Sequence, residues 1–378
     1  MKVAIIHDWL NTKIGGAEAV FFELARLYPE ADLYALICDY PKFGSYLSGR
    51  PVQTSRLQNY PDFLKKRPQF LLPFIRRAVG KINLDSYDLV ISSSTAWVKN
   101  VRIGETTKHL CYCHSPARML WDSWPGYLES QKAGPFRIGP IGRYFISKIA
   151  SPVRIWDYYG SAGVDQFVAN SQFVARRIKK FYQRDSVVIY PPVNTELLDS
   201  QYKQTKQTYY LVLSVLSRYK NIDLAINAFK ESGKKLIIAG DGPDTERLRE
   251  LTKGHHNISL VGRVSDLKKN KLLQEARGFI FPGIEDFGIA PVEAMAAGTP
   301  VVALAEGGVC ETVINEKTGV FFDLATVESL NDAIKKAEGI TFKSNQLAIQ
   351  AKKFDRHIFA QEIKKQADKL LKSNVKAN

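Results

Sequence analysis

The stretch GIEDFGIAPVEAMAAGTP, residues 283–300, decides the fold of the second half of this chain. The apolar run 278–281 before it predicts a short buried strand. Within the stretch, Pro291 suits the first turn of a helix and Gly298 suits a helix end, so we expect the helix to begin near Ala290. A strand, a short loop and a helix in this order form the repeating unit of parallel α/β sheets.

Two carboxylates, Glu285 and Glu293, flank this predicted junction between loop and helix. Glu285 falls in the loop that leaves the strand, and Glu293 falls in the first helical turn. The N–H groups of residues 287–289 have no intrahelical acceptor and are expected to face the same crevice, which suits a diphosphate flanked by sugar hydroxyls. Because acidic residues favour helix N-termini, ordinary capping by Glu293 and a solvated Glu285 are the alternative.

Length and composition indicate a globular protein of two domains. The chain has 378 residues, of which 45% are apolar and 24% charged. This is too long for one typical core and unlike the composition of disordered chains. No apolar run approaches the ~18 residues of a transmembrane helix, and no signal-peptide pattern follows Met1. We therefore expect a cytoplasmic protein.

The cysteines argue against disulfides and against a metal site. The four residues Cys38, Cys111, Cys113 and Cys310 stand in apolar or small-residue contexts that suit reduced core thiols. The cluster formed by Cys111, Cys113 and His114 lacks a second Cys/His pair at zinc spacing. The sequence predicts no metal and no cofactor.

A net charge of +15 suggests an anionic partner. The chain has no zinc finger, no aromatic-glycine RNA-binding signature and no basic zipper region, so nucleic acid is not expected. The run 65–81, KKRPQFLLPFIRRAVGK, carries six positive residues and no acid. Basic and apolar residues interleaved in this way suit an anionic membrane surface. A solvated helix face that covers part of the core is the alternative.

Apolar runs alternate with helical patterns along both halves of the chain. In the first half, strands are predicted at 3–7, 32–37, 88–93, 108–114, 166–169 and 187–190, and helices at 17–27 and 172–181. In the second half, strands are predicted at 209–216, 235–239, 258–261, 278–281 and 301–303, and helices at 222–230, 245–252, 268–275 and 291–297. These patterns predict two mostly parallel, Rossmann-like sheets. A linker is expected at about 191–208, and the basic stretch 354–377 is helical in pattern.

Residues 283–300 resemble the E-x7-E signature of the family-four retaining glycosyltransferases. The likeness includes the Phe-Gly after the first Glu and the Pro-Val-Glu-Ala-Met-Ala-Ala-Gly-Thr-Pro that follows. It extends over nearly the whole chain and is densest in 214–322. The resemblance implies an α/β GT-B fold, with two Rossmann-like domains facing a central cleft. These are an N-terminal acceptor-side domain, a C-terminal domain for the nucleotide sugar and a C-terminal helix packed on the first domain, at residues 1–195, 196–356 and about 357–378.

The resemblance places donor binding in the second half of the chain. Glu293 is expected to accept hydrogen bonds from the ribose hydroxyls, and an ionised carboxylate suits two adjacent hydroxyls. Glu285 is expected to contact the transferred sugar near its reacting carbon, as an orienting and electrostatic residue. Backbone contacts with the donor are implied for Asp286, Phe287, Gly288 and Ile289.

Two cations follow the first strand of the second half, at the sheet edge where ligands sit in open α/β folds. Arg218 and Lys220 are expected to stabilise the leaving diphosphate. The family places more residues between this pair than the single Tyr219 found here, which puts the phosphate contact of Arg218 in question. The resemblance also implies nucleotide contacts from the loops that carry Gly240, Arg263 and Val264.

The first half supplies two further motifs. Gly15 and Gly16 follow the first strand and resemble a family loop near the acceptor and the donor phosphate, with a helix-packing turn as the alternative. Residues 112–118, YCHSPAR, followed by Trp121-Asp122, resemble a strand-end motif of bacterial GDP-mannose-dependent mannosyltransferases. This likeness implies that His114 contacts the donor sugar across the cleft. A core histidine with satisfied hydrogen bonds is the alternative.

The resemblance implies a retaining, metal-independent hexosyltransferase. Its expected donor is GDP-mannose, and its expected acceptor is a lipid-linked saccharide in cell-surface polysaccharide or glycolipid biosynthesis. Peripheral attachment to the inner face of the cell membrane follows from the basic run. The alternatives are a UDP-hexose or deoxyhexose nucleotide as donor, and a GT-B sugar-nucleotide epimerase or phosphorylase. A non-catalytic basic module would instead bind nucleic acid in a salt-dependent way and ignore nucleotide sugars.

Overall fold

The computed structural model describes residues 1–11, 15–65, 68–121, 140–196 and 208–372. Most of the predicted linker, Asp122, two residues of the basic run and the last residues of the C-terminal stretch lie outside this described part. Contacts divide the chain into two units, Met1–Tyr190 together with the chain from Ala360, and Pro191–Phe359.

The first unit contains a parallel sheet of seven strands. They are β1 (Val3–Leu10), β2 (Asp32–Cys38), β3 (Val52–Thr54), β4 (Leu89–Ser94), β5 (Lys108–Cys113), β6 (Gln166–Ala169) and β7 (Ser186–Val188). Their order across the sheet is β3-β2-β1-β4-β5-β6-β7. The helices of this unit are Gly16–Leu27, Tyr40–Phe43, Asp62–Lys65, Pro68–Val79, Arg118–Trp121, Pro140–Gly160 and Gln172–Tyr182.

The central strands of this sheet are buried on both faces. All six residues of β4 are buried, and so are most of those in β1 and β5. A parallel sheet covered on both faces gives continuous apolar runs in the sequence. The short strand β3, whose residues are partly or fully exposed, has no such run and was not predicted.

The second unit contains a parallel sheet of six strands. They are β8 (Tyr209–Leu213), β9 (Lys235–Ala239), β10 (Ile258–Gly262), β11 (Gly278–Phe281), β12 (Val301–Leu304) and β13 (Gly319–Phe322), in the order β10-β9-β8-β11-β12-β13. The helices are Ile222–Ser232, Thr245–Thr252, Asp266–Glu275, Ile289–Ala296, Val309–Thr312, Val327–Glu338 and Ser344–Lys352, followed by Arg356–Lys372, which runs into the chain grouped with the first unit.

Both sheets reverse direction beside their first strand. From β1 the chain moves through β2 to β3, and then returns to add β4 on the other side of β1. From β8 it moves through β9 to β10, and then returns to add β11 beside β8. The loops after the two strands at such a reversal diverge, and ligands of open α/β sheets bind in the crevice between them. Each unit therefore has one favoured edge for a ligand.

No helix in the described part of the chain is long and apolar enough to cross a membrane.

Candidate functional site

The signature helix of the second unit begins after a glycine with a left-handed backbone conformation. Gly288, at φ 90°, caps the helix Ile289–Ala296, and this left-handed conformation favours glycine. The helix starts one residue before the predicted Ala290. Gly298, at φ 74°, donates its N–H to the C=O of Met295 at 2.9 Å and closes the helix, as predicted.

The loop between β11 and this helix packs tightly against two neighbouring loops. A Cβ on Gly283 would lie 2.8 Å from the Cα of Lys220, so only glycine permits this approach. On the other side, the N–H of Gly308 donates to the C=O of Glu285 at 2.9 Å. The loop after β11, which carries Glu285, is therefore packed between the loops after β8 and β12.

An ion pair joins the two loops that flank the reversal of the second sheet. The ammonium group of Lys220, in the turn Arg218–Lys220 after β8, contacts the carboxylate of Glu285, in the loop after β11. The two side chains are 12% and 24% exposed. The sequence predicted these residues as separate phosphate and sugar contacts, and the structure brings them together at the favoured edge.

Glu293 is held by a lysine that the sequence analysis did not single out. Nζ of Lys269, on the helix Asp266–Glu275, donates to Oε1 of Glu293 at 2.8 Å. Burial acts to lower the pKa of Lys269, but the Glu293 and Asp266 carboxylates outweigh it and raise this pKa above its ordinary value. Lys269 therefore stays charged and orients the Glu293 carboxylate.

Arg218 lies apart from this pair. Its side chain is 65% exposed, and its Nε is 4.0 Å from a carboxylate oxygen of Asp244. That carboxylate is already bound in bidentate fashion by Arg247, at 2.7 and 2.6 Å. The short spacing between Arg218 and Lys220 thus gives one part-buried cation at the edge and one exposed cation beside it.

The remaining donor-side residues lie in loops after neighbouring strands. The N–H of Gly240, after β9, donates to the C=O of Gly262 at 2.8 Å, and this bond places Arg263 and Val264 next to the β9 loop. Arg263 is exposed and Val264 is half-buried. Phe287 is 3% exposed and its ring packs on Phe354. The side chain of Phe287 belongs to the core, so only its backbone is available for the predicted contact with the donor.

In the first unit, the Gly15–Gly16 loop has a capping role. Gly15 is the N-cap of the helix Gly16–Leu27, and its N–H donates to the carboxylate of Glu18 at 2.8 Å. Both glycines are exposed. The structure thus supports the helix-turn alternative for Gly15 and leaves the predicted ligand contact a hypothesis.

His114 follows β5 and belongs to a hydrogen-bonded group of polar side chains. Its Nε2 lies 2.8 Å from Oγ of Ser93, and the same oxygen lies 3.0 Å from Nδ1 of His7. The two rings are perpendicular, with centroids 6.3 Å apart. Burial, assisted by the nearby His7, lowers the pKa of His114 to about 3. At neutral pH this ring is therefore an uncharged hydrogen-bonding group.

Asn170, at the end of β6, is tied to the same edge. Its side-chain amide donates to the C=O of His114 at 3.0 Å. The sequence analysis did not identify His7 and Ser93, which lie 86 residues apart. In the sequence, His7 and Ser93 stand out only as polar residues within apolar strand runs.

Asp8 binds the two strands at the reversal of the first sheet. Its buried carboxylate accepts hydrogen bonds from four consecutive backbone N–H groups of residues 95–98, at 2.6 to 3.0 Å, and from the hydroxyl of Thr95 at 2.9 Å. These five donors satisfy the two carboxylate oxygens. Asp8 therefore fixes the loop after β4 against β1, a role that the sequence analysis missed.

Within the described ranges, no group of three His, Cys, Asp or Glu side chains has the arrangement of a metal site. Cys38, Cys111 and Cys113 are buried and not in disulfides, and burial raises the pKa of Cys111 to about 12. Cys310 is not in a disulfide either, but it is exposed. The prediction of core thiols is therefore confirmed for three residues and wrong for Cys310, because its short helix Val309–Thr312 presents it outward.

Two family models match almost the whole chain. Glycosyltransferase Family 4 matches residues 14–197, and Glycosyl transferases group 1 matches residues 193–354. The chain is 25% identical to the alpha-1,3/1,6-mannosyltransferase ALG2 of Dictyostelium discoideum, over 96% of this chain and 97% of that protein.

Solved structures resemble the chain over a similar length. Sucrose-phosphate synthase from Thermosynechococcus elongatus has a TM-score of 0.70 at 16% identity and covers 98% of this chain and 100% of its own. HepE of Anabaena, solved in complex with UDP-glucose, has a TM-score of 0.67 at 18% identity and covers 97% of this chain and 99% of its own. At such identities the likeness concerns the fold.

Proposed function

Because the chain belongs to the family-four glycosyltransferases and has their GT-B fold of two Rossmann-like units, we propose that it transfers mannose from GDP-mannose to a lipid-linked saccharide. The chain is a glycosyltransferase enzyme, and its sequence relatives include mannosyltransferases. The observation that carries the proposal is the ion pair between Lys220 and Glu285 at the reversal of the second sheet.

This ion pair suits an anionic leaving group that arrives and departs. Without donor, Glu285 neutralises Lys220 and keeps it at the edge. An arriving diphosphate offers more negative charge, so Lys220 exchanges its partner, and Glu285 turns to the hydroxyls of the transferred sugar. In the transition state Lys220 and the N–H groups at the start of the helix Ile289–Ala296 stabilise the charge that develops on the phosphate.

The proposed transfer retains the configuration at the anomeric carbon and needs no metal ion. The bond between that carbon and the phosphate oxygen breaks, while the acceptor hydroxyl oxygen bonds to the carbon from the same face. The hydroxyl proton passes to the departing phosphate. Glu285 acts by orientation and electrostatics, and His114 is proposed to contact the sugar as a neutral group because its pKa is about 3.

Glu293 is proposed to hold the nucleotide ribose. Lys269 fixes one oxygen of its carboxylate, which leaves acceptor capacity for two adjacent hydroxyls. The backbone around Gly240, Arg263 and Val264 is proposed to lie beside the base. Arg218 is proposed to reach the phosphates only from the rim, since its side chain is exposed.

A thermal-shift panel tests the donor assignment. GDP, GDP-mannose, UDP and UDP-glucose are each titrated against the wild type and the Glu293→Ala variant. We expect the guanine pair to raise the melting temperature of the wild type and to do so less in the variant. If only UDP and UDP-glucose stabilise the protein, the proposed donor becomes a UDP-hexose instead of GDP-mannose. The structural neighbour HepE was solved in complex with UDP-glucose. Stabilisation by none of the four contradicts the donor site.

Acceptor dependence tests the reaction class. Release of nucleoside diphosphate should rise with added lipid-linked saccharide if the enzyme is a transferase. Formation of an epimeric nucleotide sugar without any acceptor would contradict transfer and favour the epimerase alternative.

Membrane attachment at the cytoplasmic face is proposed for the first unit. Arg76 and Arg77 are exposed on the helix Pro68–Val79. Arg56 and Arg77 together lower the pKa of the exposed Lys81, which indicates a local excess of positive charge. Flotation with anionic and with neutral liposomes tests this proposal. Equal recovery with both, or no effect of the double change Arg76→Glu and Arg77→Glu, would contradict it.

A further inference from the structure

An apolar cavity of about 370 Å3 opens in the first unit, in a region that the donor site does not use. Its walls come from the helix Pro68–Val79, the helix Pro140–Gly160 and Trp97, the residue before the turn Val98–Asn100. The lining is Leu72, Pro73, Ile75, Trp97, Val153 and Trp156, with Pro152 and the cations Arg76 and Lys148. Its volume lies near the lower end of the ~300–1,000 Å3 range of ligand pockets, which suits one narrow chain.

The walls of the cavity are fixed in place. The indole rings of Trp97 and Trp156 stack, with centroids 6.0 Å apart. Behind them, the buried ammonium group of Lys99 pairs with the carboxylate of Asp157, which also accepts a hydrogen bond from Nε1 of Trp121 at 2.8 Å. This network joins the turn to the helix Pro140–Gly160. The cavity is therefore preformed, and a ligand can enter without ordering its walls.

Two prolines inside helices face this same cavity. Pro73 lies within the helix Pro68–Val79, and Pro152 lies within the helix Pro140–Gly160. A proline in a helix interior costs the helix stability because it lacks an N–H donor and crowds the preceding turn. Two such residues on opposite walls indicate that the open, apolar shape is maintained at the expense of helix stability.

The surroundings of the cavity combine positive charge with exposed apolar side chains. Arg76 lines the cavity, and Arg77 and Lys81 follow it in the same basic run. On the helix Pro140–Gly160, Ile155 and Tyr159 are 58% and 70% exposed. An apolar interior with cations at its rim complements a hydrocarbon chain that ends in a phosphate.

One wall of the cavity is continuous with the favoured edge of the first sheet. The backbone N–H of Trp97, whose ring lines the cavity, donates to the carboxylate of Asp8 at 2.9 Å. Asp8 lies in β1, beside the reversal point where a ligand of this sheet is expected. A chain in the cavity would therefore leave its phosphate end next to the unit's candidate ligand edge.

On the basis of the proposed function, we infer that this cavity holds the hydrocarbon chain of the phosphate-linked lipid that carries the acceptor saccharide. The volume of about 370 Å3 has room for one hydrocarbon chain, so the inference is for a single-chain carrier and not for a two-chain membrane phospholipid. Arg76 and Lys148 bind the phosphate, and the apolar walls bind the first part of the chain.

Tryptophan fluorescence provides a direct test. Trp97 and Trp156 line the cavity, so dodecyl phosphate brominated in its chain, used below its micelle concentration, should quench the emission in a saturable way. Unbrominated dodecyl phosphate and inorganic phosphate should not quench. In the variant Val153→Phe, which fills the cavity with an apolar ring, the Kd should rise at least about tenfold, the effect expected from about two displaced methylene groups.

Charge variants separate the rim from the cavity. Arg76→Glu should raise the Kd about fivefold, whereas Lys335→Glu, an exposed lysine of the second unit, should leave it unchanged. The melting temperature of each variant is measured as the control. A value within a few degrees of the wild type shows that the fold is intact. No quenching in the wild type, or equal quenching in a folded Val153→Phe variant, would overturn the inference.

Competition during turnover tests the link to the acceptor. Dodecyl phosphate should raise the apparent KM for a lipid-linked saccharide without changing the KM for the nucleotide sugar, and this effect should disappear in Val153→Phe. If the chain quenches without competing, the assignment to the acceptor is wrong. If the wild type transfers sugar to no acceptor at all, the proposed function fails, and quenching still decides whether the cavity binds a chain.

Discussion

The favoured edges of the two sheets have the same topology and opposite chemistry. In the second unit, the loops at the reversal carry the ion pair of Lys220 with Glu285, and a second pair joins Lys269 to Glu293. In the first unit, the corresponding strands carry histidine and serine side chains that share hydrogen bonds, centred on Ser93. The Asp8 carboxylate beside them is enclosed by backbone donors.

This difference indicates two kinds of ligand contact. A part-exposed ion pair can exchange its partner for an anionic ligand, because water and the ligand replace what each side chain loses. A network of shared hydrogen bonds fixes shape and hydrogen-bond direction instead, because a charge brought into it would lose its water. The second edge thus suits a diphosphate, and the first suits uncharged hydroxyls.

The largest effect is expected from removing the cation of the charged edge. Lys220→Ala should lower kcat/KM about 100- to 1,000-fold, as for other groups that stabilise a developing anion. Arg218→Ala should lower it no more than about tenfold because the Arg218 side chain is mostly exposed. Steady-state kinetics with saturating acceptor measures both. Equal losses in the two variants would show that the part-buried pair has no special role.

The partner carboxylate should separate turnover from binding. Glu285→Gln removes a negative charge beside Lys220, so the nucleoside diphosphate should bind as tightly as in the wild type or more tightly. Turnover should fall about 100-fold because the sugar loses its orienting carboxylate. Calorimetry and kcat measurements on the same preparation provide the comparison. Unchanged turnover removes Glu285 from the reacting centre.

Acid should destabilise the first unit through its buried histidines. Burial lowers the pKa of His109 to about 4, and that of an unfolded histidine is about 6.5. Between these values the unfolded chain binds the proton and the folded chain does not, so stability falls as the pH falls through this window. From pH 7 to pH 5, His109 alone should lower the free energy of unfolding by about 2 kcal/mol.

Urea unfolding at the two pH values measures this loss. All five tryptophans fall within residues 1–190, so their emission follows the first unit. His109→Gln should lose less stability between pH 7 and pH 5 than the wild type. An equal loss in both proteins would mean that the buried ring is not the cause.

The smallest effect is expected at the lysine behind Glu293. Lys269→Met should raise the Kd of the nucleoside diphosphate about five- to tenfold, because Glu293 loses a charged hydrogen bond that orients it. Lys268→Met, the exposed neighbour on the same helix, is the matched control and should leave this Kd unchanged. A larger Kd with an unchanged kcat would identify Lys269 as a positioning residue.

Three short strands were predicted with the correct bounds. The predicted ranges 166–169, 235–239 and 278–281 agree with β6, β9 and β11 at both ends. In contrast, β8 ends at Leu213 although the apolar run continues to Leu216. Leu216 is buried in the loop between β8 and the turn Arg218–Lys220, so its apolar character does not mark a strand.

The pairings at the two edges were much less predictable. The contact of Lys220 with Glu285 depends on two loops that only the strand order brings together, and His7 meets Ser93 across 86 residues. Lys269 stands among other polar helical residues, so nothing local distinguishes it. The edge strand β13 was also missed.

The central claim is that Lys220 at the reversal of the second sheet binds the donor diphosphate. Titration calorimetry tests it with the nucleoside diphosphate that stabilises the wild type most, applied to Lys220→Ala and to the control Lys335→Ala. We predict a Kd at least about tenfold higher for Lys220→Ala and unchanged for Lys335→Ala. An unchanged Kd for a folded Lys220→Ala variant would contradict the claim.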